Sequence, residues 1–336
     1  MKGRRYVVKI VMMGAGAIGS LYGGMLSLAG ESEVILVGRK PHVTAVRANG
    51  LRLKGVLGEH TVHLEATDDP RQITKADFVF ITTKTYDTLA AAARIEHLVH
   101  DGACVVVLQN GLDTEKEVER VLSTTRVLRA TTCMGALVTE PGEVIVTGQG
   151  LTEIGSHHPN NKEMVELISV LLRHAGFHVK TSENIDGVVW TKTIVNCGMN
   201  PVGALTGLTN GEIYNNKGLR GLVLRLVKEA TKVAEGLGIR LTTEDPIRYT
   251  LGTAKATGAN VNSMLQDIRA KKRTEIDSIT GEVIRLARQM GIETPASESV
   301  YALVKALEWE YLRSKGSRSA TGTLSIEEVT EATSSS

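Results

Sequence analysis

A short glycine-rich segment near the N-terminus constrains the fold of this chain more than any other feature. The β-rich run YVVKIVMM, residues 6–13, leads directly into GAGAIG, residues 14–19, and an apolar helical pattern follows. A GxGxxG pattern alone is a weak signal, but its position between a strand and a helix is the arrangement that dinucleotide-binding domains require. In that arrangement Gly14 permits a tight turn, Gly16 lets the backbone approach a pyrophosphate, and Gly19 lets helix and strand pack closely. The segment predicts a Rossmann-type unit, and a plain structural turn is the alternative.

The composition fits a soluble globular protein with two domains. The chain has 336 residues, 42% of them hydrophobic, and a formal net charge of +2, so nothing demands a nucleic-acid partner. Lys9 breaks the apolar run of an N-terminus that superficially resembles a signal peptide, and no other run approaches the roughly 20 residues that span a membrane. Cys104, Cys133 and Cys197 are odd in number, widely spaced and set in apolar stretches, which predicts reduced structural thiols and a cytoplasmic protein.

The end of the second predicted strand bears on cofactor choice. Residues 34–37 lead into Gly38-Arg39-Lys40, where an NAD-preferring fold usually places an acidic residue for the ribose hydroxyls. A small residue followed by positive charge can instead accept a 2′-phosphate, which favours NADP. The alternative is that Arg39 is an ordinary solvated side chain.

Two further predicted strands end in polar residues. Strand 77–81 leads into Thr82-Thr83-Lys84, and strand 103–108 leads into Gln109-Asn110-Gly111. Ligands of open α/β sheets bind at the carboxyl ends of the strands, so Lys84 and Asn110 are candidate contacts. Asn-Gly is also an ordinary turn signal, so only its position favours a functional role for Asn110.

The pattern of elements changes about residue 186. Before it, strands alternate with helices, with two short strands predicted in residues 51–64, a strand at 126–132, a hairpin at Pro141-Gly142 and a helix at 161–173. After it only helices are predicted, at 186–201, 218–236, 246–256, 275–290 and 296–313. This shift predicts a first domain at 1–185 and a helical domain at 186–313. The Ser/Thr/Glu-rich segment 314–336 lacks bulky apolar residues and is predicted to be a disordered tail.

The first helix of the second half carries an amine and two amides. In WTKTIVNCGMNP, Lys192, Asn196 and Asn200 are spaced four apart and share one face, while the residues between them are mostly apolar. This pattern favours a helix packed in a core with a polar line facing a cleft, and Pro201 is expected to end or kink it. The alternative is a buried helix with a snorkelling lysine and hydrogen-bonded amides.

Two motifs later in the chain fit both a functional and a capping interpretation. Ser263 with Gln266 has the spacing of a capping box, and Glu275 in a first helical turn would favour the helix dipole. The sequence pattern alone does not decide between capping and function for either residue.

Taken in order, these motifs resemble the ketopantoate reductase family, the 2-dehydropantoate 2-reductases of pantothenate and coenzyme A biosynthesis. The resemblance spans about residues 8–312 and is carried by GAGAIG, TTK, QNG, WTKTIVNCGMNP and NSMLQDIRAKKRTEID. It implies an α/β N-terminal Rossmann-type dinucleotide-binding domain followed by an all-α C-terminal domain of the 6-phosphogluconate-dehydrogenase-like type. It also implies NADPH-dependent reduction of 2-dehydropantoate (ketopantoate) to pantoate, with hydride passing from C4 of NADPH to the ketone.

The resemblance also assigns roles to residues. It implies that Lys192 is the proton donor, with Glu275 holding the cofactor and the active-site geometry. The substrate contacts that it implies are Asn110, Asn196, Asn200, Asn210 and Ser263. The cofactor contacts that it implies are Gly14, Ala15, Gly16, Ala17, Ile18, Gly19, Arg39, Lys84, Asn110, Ala136 and Glu275. We expect no metal ligands and no nucleic-acid or membrane partner, and the oligomeric state stays open, a homodimer included.

Three other readings remain. A reductase of the same fold could act on another branched 2-keto acid and keep Lys192 and Glu275. An NADP-sensing regulator would bind cofactor without turnover, but it would have no need to keep a proton donor facing a substrate cleft. An opine-type dehydrogenase would be expected to place a histidine acid in the helical half, and no histidine follows His178.

Overall fold

The computed structural model describes residues 7–316, and an eight-stranded sheet organises their first half. Twelve strands occur in the described residues: β1 (Val8–Met13), β2 (Ser32–Val37), β3 (Leu51–Gly55), β4 (His60–Val62), β5 (Glu65–Thr67), β6 (Phe78–Ile81), β7 (Cys104–Val107), β8 (Val127–Thr132), β9 (Gly135–Glu140), β10 (Glu143–Gly148), β11 (Thr152–Gly155) and β12 (Val179–Thr181). The large sheet has the order β5-β2-β1-β6-β7-β8-β11-β12. All its neighbours are parallel except β8 and β11.

The path of the chain through this sheet confirms the Rossmann-type prediction. From β1 the chain runs outward through β2 to β5, then returns to β6 on the other side of β1 and continues to β7 and β8. Doubly wound sheets bind ligands at such a switch point, beyond the carboxyl ends of the strands. Strands β6 and β7 are apolar and buried throughout, as expected where helices cover both faces of a parallel sheet.

A second, four-stranded sheet has the order β4-β3-β10-β9. The two short strands predicted within 51–64 are confirmed as β3 and β4. Their partner is the hairpin at Pro141-Gly142, because β3 lies parallel to β10. This long-range pairing, the edge strands β5 and β12 and the neighbouring strand β11 were not predicted, because strands of three or four residues carry little pattern of their own.

Twelve α-helices occur in the described residues: α1 (Ala17–Leu28), α2 (Lys40–Asn49), α3 (Thr88–His100), α4 (Thr114–Leu122), α5 (Lys162–His174), α6 (Ile185–Thr206), α7 (Asn210–Asn215), α8 (Lys217–Gly236), α9 (Pro246–Ala256), α10 (Ser263–Arg269), α11 (Glu282–Gln289) and α12 (Pro295–Gly316). Helix α6 packs against α8 in the second half, where a Cβ on Gly198 would lie only 2.8 Å from Val227. No helix within residues 7–316 is long and apolar enough to cross a membrane.

Three helix boundaries differ from the prediction. Helix α6 continues through Pro201 to Thr206, because an internal proline removes only one backbone hydrogen bond and the buried Val202 and Ala204 keep the last turn packed. The helix predicted at 275–290 begins with a π-helical turn at Asp277–Gly281 before α11. Helix α12 is described to Gly316, past the expected end at 313, and the remaining tail residues 317–336 lie outside the described part of the chain.

Candidate active site

The glycine-rich turn lies between the end of β1 and the start of α1, with Gly16 at the N-cap position. Gly14 has φ +121°, which favours glycine, and a Cβ there would lie 2.6 Å from the backbone nitrogen of Thr83. A Cβ on Gly19 would overlap the carbonyl oxygen of Gly14, whereas a Cβ on Gly16 would meet no atom within 4 Å. The turn is therefore tight on its protein side and open above the helix N-terminus, where backbone N–H groups favour an anion.

Arg39 lies beside this turn at the N-cap of α2. Its side chain is exposed and makes no hydrogen bond or ion pair with any of residues 7–316. The preceding Gly38 packs against Ala15 of the glycine-rich turn, where a Cβ would come within 2.8 Å of the alanine Cβ. The residue before Arg39 thus contacts the glycine-rich turn, and the Arg39 side chain is accessible to an anion.

An ionic cluster joins the sheet to the helical half. The Lys84 ammonium lies 2.6 Å from Asp267 Oδ2 and 3.5 Å from Glu275 Oε2. Glu275 also accepts hydrogen bonds of 3.2 Å from the Asn110 side-chain amide and from the backbone N–H of Thr85. The structure therefore brings Lys84, Asn110 and Glu275 together, as the resemblance implied. The interpretation of Glu275 as a residue of a first helical turn is wrong, because Glu275 precedes the π-helical turn and its carboxylate contacts the other half of the chain.

Burial and charge act in opposite directions in this cluster. Burial works to lower the pKa of Lys84, but the charges of Glu275 and Asp267 outweigh it and hold that pKa above its ordinary value. Burial raises the pKa of Asp267, against the charge of and hydrogen bond from Lys84. The pair is only partly buried, because the Lys84 side chain is 34% exposed, and it links the sheet to the helical half of the chain.

Lys192 lies on α6 and reaches the carboxyl end of β8. Its ammonium donates a 2.6 Å hydrogen bond to the carbonyl oxygen of Thr132. Burial lowers the pKa of Lys192, while the nearby Cys133 acts to raise it, Arg129 to lower it and Glu275 to raise it. An ammonium has three donors, so two remain for other acceptors.

Thr132 is itself held from the other side of the sheet. The buried Tyr22 of α1 donates to the Thr132 hydroxyl at 2.7 Å, and its ring stacks on Phe177 with centroids 4.2 Å apart. The same hydroxyl accepts the backbone N–H of Met134 at 3.0 Å. The acceptor of Lys192 is therefore fixed by packing within the first half of the chain, which no local sequence pattern indicated.

The remaining amides lie farther along α6 and in the segments beside it. Asn196 is partly exposed and Asn200 is buried, and neither side chain makes a hydrogen bond with another described residue. Asn210 begins α7 and donates to the Thr257 hydroxyl at 2.9 Å, while its buried Oδ1 has no partner in the described chain. The backbone N–H of Asn210 donates to the carbonyl of Asn260. Asn260 in turn lies at the end of β10, where a Cβ on Gly148 would be 3.8 Å from its side chain.

Ser263 is the first residue of α10, and the capping-box interpretation is wrong. The cap is Asn262, whose side chain accepts the N–H of Leu265 at 3.0 Å and donates to the carbonyl of Met199 at 3.3 Å. Asparagine is as good a cap as serine, and the contact with α6 fixes Asn262 in that role. The Ser263 side chain therefore does not cap α10. It lies on a segment that contacts α6 next to Asn200.

Several other residues have environments that bear on the predicted site. Ala136 lies on β9 of the small sheet, paired with Val146. Cys104 and Cys197 are buried free thiols, whereas Cys133 is exposed, so the apolar sequence around Cys133 did not predict its environment. Within residues 7–316, no group of three or more His, Cys, Asp or Glu side chains could hold a metal ion.

Sequence reasoning singled out neither Asp267 nor Arg129. Asp267 stands within the quoted motif NSMLQDIRAKKRTEID, and its spacing of eight from Glu275 could have suggested a second carboxylate at the site. Arg129 lies in the middle of β8, a strand that is buried throughout, and is 1% exposed. A charged residue inside a buried strand needs a partner, and the sequence alone could have indicated this for Arg129.

Comparison with known proteins gives the family. Residues 10–159 match the family described as "Ketopantoate reductase PanE/ApbA". Residues 184–308 match the family described as "Ketopantoate reductase PanE/ApbA C terminal". The chain is 38% identical over 301 residues to a 2-dehydropantoate 2-reductase of Pyrococcus horikoshii, covering 90% of this chain and 98% of the relative.

Solved structures are similar over the same extent. The PanE/ApbA family ketopantoate reductase of Ralstonia eutropha has a TM-score of 0.83 at 32% identity, covering 91% of this chain and all of that chain. A D-mandelate dehydrogenase solved with NADH and anilino(oxo)acetate has a TM-score of 0.84 at 25% identity, covering 90% of this chain and 99% of that chain. With the two family matches and the relative at 38% identity, this chain belongs to the ketopantoate reductase family of oxidoreductases.

Proposed function

We propose that this protein reduces 2-dehydropantoate (ketopantoate) to pantoate with NADPH, in pantothenate and coenzyme A biosynthesis. The observation that carries the proposal is the position of Lys192, a partly buried amine with a lowered pKa at the carboxyl end of the parallel sheet. The name and similarity of the Pyrococcus horikoshii relative support the same substrate.

NADPH supplies the hydride for the ketone carbon when it is bound. Negative charge develops on the ketone oxygen during the transfer, and a proton donor must neutralise it. The Thr132 carbonyl holds one N–H of Lys192, which leaves the other two donors to polarise the ketone and to deliver the proton. A pKa lowered towards the working pH makes that transfer easier, and solvent then reprotonates the amine.

We assign the amides to substrate binding and orientation. Asn196 and Asn200 lie one and two turns beyond Lys192, so an acid bound along α6 would meet them with its hydroxyl and carboxylate groups. Ser263 and Asn210 would complete the opposite wall, and Asn110 would contact both substrate and cofactor. The unpartnered oxygen of Asn210 supports this assignment, since a buried acceptor left unsatisfied costs about 1–3 kcal/mol.

The residues around the glycine-rich turn fit a nicotinamide dinucleotide. A Cβ at Gly16 would fill the open space above the N-terminus of α1, which is where a pyrophosphate would lie. We assign Gly14 to Gly19, Lys84, Asn110, Ala136 and Glu275 to this cofactor. Arg39 would select NADPH by binding its 2′-phosphate, and its exposed, unpaired side chain supports that choice.

We further propose that residues 1–185 form the cofactor domain, residues 186–313 the domain that supplies Lys192, and residues 314–336 a tail without a catalytic role. The Glu275 cluster would then close the cleft between the two domains around the substrate. We also propose a cytoplasmic protein that acts on a small 2-keto acid, with no nucleic-acid partner, either alone or as a homodimer.

A second candidate is a reductase for another 2-keto acid. The similarity to a D-mandelate dehydrogenase favours it, because that protein shares the fold over nearly its whole length. An aromatic 2-keto acid such as phenylglyoxylate and a branched one such as 2-ketoisovalerate keep the same reacting group with a different side chain.

The test is NADPH consumption by the purified protein with ketopantoate, 2-ketoisovalerate and phenylglyoxylate under matched conditions. We expect ketopantoate to have the highest kcat/KM and NADPH to be used in preference to NADH. A higher kcat/KM for either of the other acids would transfer the function to that substrate class. Tight NADPH binding with no turnover of any of the acids would favour the sensor reading instead.

A further inference from the structure

The side chain of Arg129 lies inside the large sheet, beneath the turn that carries Asn110. Its NH1 donates to the carbonyl oxygens of Val107 at 3.1 Å, Gln109 at 2.8 Å and Ala130 at 3.2 Å. Its NH2 donates to the carbonyl oxygen of Gly111 at 2.8 Å. Three of these four carbonyls belong to the end of β7 and the turn that follows it. The guanidinium therefore bonds the backbone on both sides of Asn110.

The charge of Arg129 is balanced by Glu115 near the start of α4. Its Nε lies 3.0 Å from Glu115 Oε2, close enough for an ion pair although not aligned as a hydrogen bond. His157 lies 3.2 Å from the other oxygen of Glu115 and 3.5 Å from Asp186 in the first turn of α6. The charge can therefore remain buried, and the guanidinium is fixed in one orientation.

The turn has few other supports for the peptide of Asn110. The Gln109 side chain donates to the Thr83 carbonyl at 2.8 Å and accepts from Thr88 at 3.1 Å, which fixes the residue before Asn110. After it, Gly111 has φ +85°, and the N–H of Leu112 donates to the Ser278 carbonyl at 3.2 Å. Among residues 7–316, Arg129 alone bonds the carbonyls of both neighbours of Asn110. A planar, five-donor guanidinium can do this, whereas a lysine ammonium cannot span the same set of acceptors.

We propose that Arg129 is a positioning residue for the reductase reaction: it holds the backbone of Gln109 and Gly111 so that the Asn110 amide points to Glu275 and to the bound ligands. This inference rests on the proposed function for its kinetic readout. Arg129 itself touches neither substrate nor cofactor. It acts on the bound ligands through Asn110, and its other influence on the site is its charge, which helps to lower the pKa of Lys192 and which R129K keeps.

The experiment is a double-mutant cycle between Arg129→Lys and Asn110→Ala, measured as kcat/KM for ketopantoate and as NADPH affinity by fluorescence titration. We expect R129K to lower kcat/KM by roughly 10- to 100-fold, as for other small misplacements of a binding group. N110A should cause a similar loss. The double variant should be no worse than N110A alone, because N110A already removes the amide that Arg129 is proposed to orient. Arg126→Lys, at the exposed residue just before the same strand, is the matched control and should behave as wild type.

Stability is separated from positioning by a second variant. Replacing the buried pair by an uncharged one, Arg129→Met with Glu115→Gln, leaves no unpaired buried charge and is expected to fold. This double variant should show the same kinetic loss as R129K. Glu115→Gln alone should lower the Tm. It should leave kcat/KM within about twofold of wild type, because the contacts of Arg129 with the backbone carbonyls remain. Wild-type kcat/KM in R129K or in the uncharged double variant would overturn the proposal. So would losses that multiply when R129K is combined with N110A.

Failure of the proposed function would be recognised separately. If the wild type binds NADPH but reduces none of the 2-keto acids, the proposed function fails, and the NADPH titrations still test Arg129. In that case R129K and N110A should weaken NADPH binding to a similar extent and without additivity. Unchanged NADPH affinity in R129K beside weakened affinity in N110A would overturn the positioning role.

Discussion

The carboxylate of Glu275 accepts a 3.2 Å hydrogen bond from the side-chain amide of Asn110, which is 165 positions earlier in the chain. This bond joins a turn at the carboxyl edge of the sheet to the segment that precedes α11. The neighbouring Lys84 approaches the same oxygen, so one carboxylate organises groups from both halves of the chain.

We predict that Glu275→Gln lowers kcat/KM by about 10- to 150-fold. A hydrogen bond to a charged group contributes about 1.5–3 kcal/mol, and the amide cannot replace the ionic contact with Lys84. Steady-state kinetics with NADPH and ketopantoate measure the effect. Glu282→Gln at the start of α11 is the matched control, and equal losses in both variants would mean that Glu275 is not special to the site.

The glycine-rich turn offers a paired test of its two roles. We expect Gly19→Ala to destabilise the protein, because its Cβ would overlap the Gly14 carbonyl. We expect Gly16→Ala to leave the Tm unchanged and to weaken NADPH binding, since its Cβ enters open space that the pyrophosphate would occupy. Thermal melts and NADPH titrations of both variants measure these effects. NADPH affinity unchanged in Gly16→Ala would place the pyrophosphate elsewhere.

Cofactor choice should depend on Arg39. A charge-assisted contact with the 2′-phosphate contributes roughly 1.5–3 kcal/mol, so Arg39→Ala should weaken NADPH binding by about 10- to 150-fold and leave NADH nearly unchanged. Comparison of the two dissociation constants measures the effect, with Lys40→Ala as the neighbouring control. Equal losses for both cofactors would make Arg39 a structural residue.

The His157 bridge gives a pH dependence of stability. Hydrogen bonds to Asp186 and Glu115 raise the pKa of His157 from 6.5 to about 10 in the folded protein. Its contribution to the free energy of unfolding is therefore complete below pH 6.5 and is lost as the pH rises through 10, by at most about 1.4 kcal/mol per pH unit. Urea unfolding across this range should show a steeper decline in wild type than in His157→Gln. The exposed His100→Gln should keep the wild-type slope, and a wild-type slope in His157→Gln would contradict the account.

Local chemistry explains which parts of the structure could be predicted from the sequence. The glycine-rich turn, the predicted strands that lead into Lys84 and Asn110 and the face of α6 are encoded within a few residues, so periodicity and turn signals find them. The Thr132 carbonyl that holds Lys192 and the carbonyls that bind Arg129 are backbone atoms brought together by the sheet. No sequence motif marks a backbone acceptor, and these contacts appear only when strands distant in sequence pair.

Ser263 and Pro201 illustrate a different limit. Local rules favour a capping box as one interpretation of Ser263 and a helix end or kink at Pro201, and in both cases tertiary packing overrides the local rule. Asn262 caps α10 while bonding α6, and the buried end of α6 stays helical beyond its proline. Tertiary packing decides such cases, because a cap contributes only about 1 kcal/mol, and burial of apolar side chains can offset even the roughly 3 kcal/mol that an internal proline costs.

The proton donor should also leave a signature in the pH profile of the wild type. Only the protonated amine can donate, so the rate of ketone reduction should fall as the pH rises through the pKa of Lys192. Burial lowers that pKa from its ordinary value of 10.5, so the fall should begin below the range of an exposed lysine. The pH profile of kcat measures it, and a rate that is flat up to the ordinary lysine range would contradict a lowered pKa.

The central claim, that Lys192 is the general acid, is tested most directly by the turnover of Lys192→Arg and Lys192→Ala with NADPH and ketopantoate. Lys192→Ala should lower kcat by about 10²- to 10⁴-fold with little change in NADPH affinity. Lys192→Arg should not restore full activity, because a guanidinium keeps its proton at these pH values. The exposed Lys228→Arg on α8 should turn over normally. A Lys192→Arg variant that turns over like the wild type would contradict the account and remove Lys192 from the mechanism.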